Sequence, residues 1–112
     1  MARPALRRLM TLEAPSTAID GGGGQSVTWA ALGALWADVT AVTASEPLSG
    51  ARDRARVTHR ILVRGAPEGS PRRPAAHQRF RQGSRVFGIL GVAEDDAEGR
   101  FLRCWVEEGG GG

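Results

Sequence analysis

The sequence predicts an all-β protein: a small β-barrel of about five to six strands with two long loops. Three observations carry the barrel. Apolar and polar residues alternate over short runs, β-branched Val, Ile and Thr concentrate in those runs, and no segment carries the apolar stripe of an amphipathic helix. Closing the sheet is the economical solution because it removes the edges. At 112 residues the chain suits one domain, read as residues 1–108 with a flexible glycine tail at 109–112.

The elements follow in order. Leu6 to Glu13 alternates loosely, with Leu6, Met10 and Leu12 on one face and Arg7, Leu9, Thr11 and Glu13 on the other. Pro15, Ser16 and the run Gly21 to Gly24 then read as a long flexible loop over residues 14–26. Val27 to Leu32 resumes an ordered segment. Leu35 to Thr43 places Leu35, Ala37, Val39 and Ala41 on one face and is the best central strand. Residues 44–56 contain Pro47 and Gly50 with no apolar stripe, and read as the second long loop. Val57 to Arg64 alternates again and Gly65 ends it. Three prolines between Ala66 and Ala76 break the chain before two last strands, Arg85 to Val92 and Arg100 to Glu107. The acidic turn Glu94 to Gly99 joins those two as a hairpin.

Composition excludes several classes. Hydrophobic residues at 41% with charged residues at 24% fit a folded chain and not a disordered one. No apolar run approaches the ~20 residues of a membrane-spanning helix, and no apolar signal core follows the early arginines, so the chain reads as cytosolic with no membrane partner. All fifteen basic residues are Arg, and Lys, Tyr and Asn are absent, a pattern of GC-rich coding. Against twelve acids they leave a net charge of +3, a weak argument for nucleic acid. The single Cys104 lies in an apolar run and reads as a buried, inert thiol.

No constellation for catalysis is visible. The Gly21 to Gly24 run lacks the Lys-Ser/Thr of a phosphate loop, no serine has a nucleophile-elbow context, and His59 lies among strand neighbours. Glu94, Asp95, Asp96 and Glu98 lack the ligand spacing of a calcium loop. No enzyme, cofactor or metal is expected. Arg52, Arg54, Arg56, Arg60 and Arg64 recur at even spacing, and Arg72, Arg73, Arg79, Arg81 and Arg85 follow, which permits an Arg-rich edge that contacts nucleic acid. Few aromatics interleave with them, which argues against sequence-specific reading of bases. Trp29, Trp36, Phe87 and Trp105 are expected to be core or subunit-interface anchors.

Five elements in order resemble the head-tail joining (connector or stopper) proteins of tailed bacteriophages. They are Val27-Thr28-Trp29 with Leu35-Trp36-Ala37, the acidic Ser45-Glu46, and Thr58-His59-Arg60-Ile61 ending in Arg64. The block Arg79-Phe80-Arg81-Gln82-Gly83-Ser84-Arg85-Val86-Phe87-Gly88-Ile89 and the ending Cys104-Trp105-Val106-Glu107-Glu108 complete them. The similarity spans nearly the whole chain. It departs in the Pro-rich segment 66–76 and in Phe87 and Phe101, which stand at frequent tyrosine positions.

The resemblance implies a non-enzymatic virion protein, assembled in the bacterial cytoplasm, that forms a ring in the neck of a phage or gene transfer agent. The ring, a hexamer by family expectation, would sit between portal or adaptor protein and tail terminator or tail tube, around DNA contacted without sequence preference. Within that frame Glu46, Arg52, Asp53, Arg54 and Arg56 are candidates for a channel or gating loop. Arg60, Arg64 and Arg85, opposite Glu94, Asp95, Asp96 or Glu107 of a neighbour, are candidates for the subunit interface. The alternative is a free-standing β-barrel that binds nucleic acid through its Arg-rich edge.

Overall fold

A computed structural model describes residues 5–19, 21–42 and 56–109. Six strands account for most of them: β1 (Arg8–Ile19), β2 (Gln25–Ala41), β3 (His59–Arg64), β4 (Arg79–Gln82), β5 (Arg85–Glu94) and β6 (Phe101–Glu108). Every neighbouring pair is antiparallel, and the hydrogen-bonded order β1-β2-β3-β6-β5-β4 returns to β1.

Alternation explains why the sheet closes around one core. Register pairs Met10 with Leu35, Leu12 with Phe80, Phe80 with Phe87, Ala37 with Val63, Ile61 with Cys104 and Val63 with Leu102. All of these side chains are buried. Each directly opposed pair lies close enough for side-chain contact, so period-two sequence becomes a continuous apolar interior. Burying a Phe or Leu this way contributes about 1.5–3 kcal/mol.

Two register shifts bend the sheet. Leu12 faces Gly33 while Glu13 faces Ala31, leaving Leu32 as the extra residue; Ile89 faces Val106 while Gly91 faces Trp105, leaving Leu90 extra. Gly33 has φ +152°, a backbone state that a side chain disfavours, and Leu32 packs against the core.

The expectation of a small barrel with two long loops is corrected. Residues 14–19 and 25–31 are not a loop: they continue β1 and β2 as a hairpin whose connection spans only residues 20–24. β4 stops pairing with β1 at Glu13 and β3 reaches β2 only from Ala37 to Ala41, so this hairpin leaves the closed sheet as a two-stranded arm. The architecture is thus a closed six-stranded sheet with a projecting arm, and the molecule measures 55 × 28 × 26 Å. Pro15 and the glycine run suggested a loop because both punctuate chains. In a ribbon with open edges, however, every second N–H points away from the partner strand, so proline is tolerated. Two further differences follow: Val27 to Leu32 and Leu35 to Ala41 belong to one strand, and β4 is a strand the alternation did not reveal. The second expected loop, at 44–56, lies outside the described residues except for Arg56. No helix among the described residues is long and apolar enough to cross a membrane.

Candidate functional site

Among the described residues the charged side chains gather in three groups, beside a ribbon whose paired residues 14–19 and 25–30 carry none. The first group sits where the arm leaves the closed sheet. Short β4 presents Arg79 and Arg81 on one face because Phe80 between them turns inward. The register sets Arg79 opposite Glu13. Arg79 Nε donates to Glu13 Oε1 at 2.7 Å and Arg81 Nε donates to Oε2 at 2.9 Å. The Arg79 guanidinium also lies 4.0 Å from the centre of the Trp29 ring. Glu13 is 5% exposed. Burial alone would raise its pKa, but the two guanidinium hydrogen bonds outweigh that and hold the carboxyl below its usual range.

The second group lies around the end of β6. Arg85 grips Glu108 with two hydrogen bonds, Nε to Oε2 at 2.8 Å and Nη2 to Oε1 at 3.1 Å. The Glu108 N–H donates to Thr58 Oγ1 at 2.7 Å, and Arg56 reaches Glu107 at 3.1 Å. His59 stands 3.9 Å from Glu108 and meets Phe87 edge-on at 5.3 Å. Its pKa is lowered by burial, against the pull of Glu108.

The third group is the β5–β6 turn. Asp96 accepts from the Arg100 side chain and from its backbone N–H, both at 2.8 Å, and Asp95 accepts from Arg103. Gly99 makes the turn with φ +68°. Glu94, Glu98 and Glu68 with Arg73 line an open cleft of about 390 Å³ beside Gly65. Among the described residues no group of three His, Cys, Asp or Glu side chains is placed to hold a metal ion.

The expected interface residues are therefore dispersed. Arg85, Asp95, Asp96 and Glu107 form ion pairs within the chain; Arg64 is exposed at the end of β3, and Arg60 is half-buried on β3 in register with Trp105. Of the gating candidates, Arg56 is described and exposed; Glu46, Arg52, Asp53 and Arg54 lie outside the described residues. Phe87 is in the core, Trp29 is half-buried under Arg79, and Trp36 is 55% exposed. Trp105 is half-buried, and its Nε1 is the one buried side-chain polar atom without a partner among the described residues. Cys104 is buried, and burial pushes its thiol up to about 12, as an inert core thiol requires.

Sequence reading missed two features. The Glu13 cluster was signalled only by the spacing Arg79-x-Arg81, which puts two guanidiniums on one strand face. The arm was signalled by β-branched and aromatic residues on both sides of the glycine run, namely Thr17, Ile19, Val27, Thr28 and Trp29.

The described residues form a closed sheet around an apolar interior, with their charged side chains grouped on the outside. Residues 1–109 match the model described as phage head completion protein, and the chain belongs to that family. One similar solved structure is a chain described as virion of native gene transfer agent (GTA) particle, 46% identical, covering 95% of this chain and 97% of that one, with a TM-score of 0.73. Another is the solution structure of protein SF1141 from Shigella flexneri 2a, 24% identical over 98% of both chains with a TM-score of 0.68, which shows the shared fold. No curated protein matches the chain. The chain is accordingly a head-completion, connector-type structural protein of the virion neck, in a family of structural proteins and not of enzymes.

Proposed function

We propose that this chain is the repeating unit of a ring, six copies around, that joins the portal or adaptor side of the head to the tail terminator or tail tube and conducts packaged DNA. The observation that carries the reading is the 46% identity, over nearly the full length of both chains, to a protein within a gene transfer agent virion. Residues 1–108 act as one connector unit, with 109–112 as a tail. The Gly109 N–H donates to the Val86 carbonyl at 2.7 Å, which suits a last tether before that tail.

In this ring Glu46, Arg52, Asp53, Arg54 and Arg56 face the channel. Arg60, Arg64 and Arg85 meet Glu94, Asp95, Asp96 or Glu107 of the next subunit, with ion pairs now made within the chain sharing or exchanging partners on assembly. Guanidinium groups along the channel touch DNA phosphates without reading bases. Contacts between two different patches propagate from subunit to subunit and close into a ring.

The test is electron microscopy of particles from a strain lacking the gene, with and without complementation. DNA-filled heads separated from tails, rejoined on complementation, are expected. Tailed particles at normal titre without the protein would overturn the reading.

A further inference from the structure

From Ala14 and Ala30 outward, the strands of the arm pair only with one another. Among the described residues, no side chain of 14–19 or 25–30 belongs to the apolar core or packs against it. A two-stranded ribbon without apolar support is marginal in water and holds no fixed direction by itself. Its root can also bend. Gly33 has φ +152°, and a Cβ placed there would meet no heavy atom within 4 Å, so neither a side chain nor a neighbour stiffens that point. Leu32, the extra residue of the bulge, packs against the core, which fixes β2 at this position and leaves it unsupported farther out.

One side chain spans the bend. Arg79 stands on β4 opposite Glu13; two positions along β1, on the same face, Pro15 pairs with Trp29 on β2. Arg79 therefore crosses from β4 over β1 to the far strand of the arm. Its Nε donates to Glu13 Oε1 at 2.7 Å, and its guanidinium carbon lies 4.0 Å from the centre of the Trp29 ring. Glu13 lies at the root of the arm and Trp29 beyond it. Arg81 makes a matching bond to Glu13 Oε2 at 2.9 Å, but it sits opposite Thr11 and is 42% exposed, against 13% for Arg79. A planar guanidinium can donate from its edge while its face covers an aromatic ring; a compact ammonium cannot do both.

We infer that Arg79 is a latch that sets the direction of the arm, by joining Glu13 at the bend to the Trp29 ring beyond it. Glu13 acts through Arg79: its buried carboxylate fixes where the guanidinium lies, and the guanidinium fixes the ring. Pairing Glu13 stabilises the closed sheet, whereas the latch governs a separate property, the angle between sheet and arm. A latched arm enters an assembly with its orientation already settled, so less ordering entropy is lost on contact with neighbouring chains. The latch is a property of one chain, and its absence would leave the ring reading in place.

The experiment is a distance measurement on the full-length chain in solution, by double electron–electron resonance between nitroxide labels. One label sits at Ser26→Cys near the tip of the arm, the other at Ala97→Cys in the β5–β6 turn, at the end of the closed sheet from which the arm leaves; both positions are exposed. Buried Cys104 stays unlabelled. The labelled parent chain is expected to give one narrow distance distribution. Trp29→Leu removes the ring and keeps both Glu13 ion pairs, so it should widen the distribution about twofold while the melting transition stays in place. Arg79→Lys keeps the charge and should widen the distribution likewise, because an ammonium held on Glu13 cannot also cover the indole. A broad distribution in the parent chain, or an unchanged one in either variant, would overturn the latch. So would a Trp29→Leu chain whose melting transition falls along with the widening, since the closed sheet would then have failed and not the arm angle.

Discussion

Two residues show how local chemistry sets this fold. Gly65 follows β3, and its N–H donates to the Arg100 carbonyl at 2.7 Å. A Cβ there would lie 2.1 Å from the Gly99 carbonyl oxygen, a backbone atom that cannot swing away. Gly65→Ala should therefore separate β3 from the β5–β6 turn and cost about 2 kcal/mol, as overpacking does, read as a lower midpoint in denaturant unfolding. Glu13 shows the opposite case, a buried charge made tolerable by two cations. Its folded pKa lies below the usual value of 4.5, so its contribution is present above that pH and is lost as pH falls through the folded pKa. Glu13→Gln should flatten this acid limb of stability and cost about 2 kcal/mol at neutral pH. That is less than for a fully enclosed pair, since Arg81 is partly open to water. Stability measured between pH 3 and 7 checks both.

At the scale of elements, the strands that line the core were legible because alternation repeats there: β3, β5 and β6 fall within two residues of the expected spans. The turn Glu94 to Gly99 was legible for the same reason that it folds, acidic caps followed by a glycine at positive φ. The arm and β4 were not. β4 is four residues long, too short for a period to declare itself, and it exists because Phe80 fits between Leu12 and Phe87. The arm carries strand-forming residues around a proline and four glycines, and local propensity at such a site is decided by pairing partners. The segment 43–56 is proposed to act in the channel. Deleting residues 47–54 should leave necks that assemble but lose DNA, measured as nuclease-sensitive DNA outside particles; full DNA retention would refute that role.

For the whole molecule, charge is spread so that most acids among the described residues meet an arginine of the same chain, which leaves a surface of paired ions beside arm strands, residues 14–19 and 25–30, that carry no charged side chain. Assembly then has two components with different salt behaviour. Contacts through exposed ion pairs weaken above ~0.5 M salt, where screening shortens to a few ångströms, whereas apolar burial does not. Charge reversal at Arg60, Arg64 and Arg85 together should therefore reduce ring formation at low salt, with the deficit narrowing as salt rises. Particle counts by electron microscopy over a salt series report it, and unchanged ring formation at low salt would remove these residues from the interface.

The sequence by itself determined the strand-rich class, the inward faces of the strands and the family, because alternation and spaced motifs are local or nearly so along the chain. Only the tertiary structure decided that β4 returns to β1, that Glu13 is buried between two arginines, and that the first presumed loop is a paired arm. The first two depend on residues more than sixty positions apart, and the arm depends on pairing across a proline and four glycines, with a register shift at its root where one extra residue changes what lies opposite. Pairing over the longer separations is a property of the closed sheet that no window of sequence contains, and pairing in the arm is decided by register that local propensity does not set.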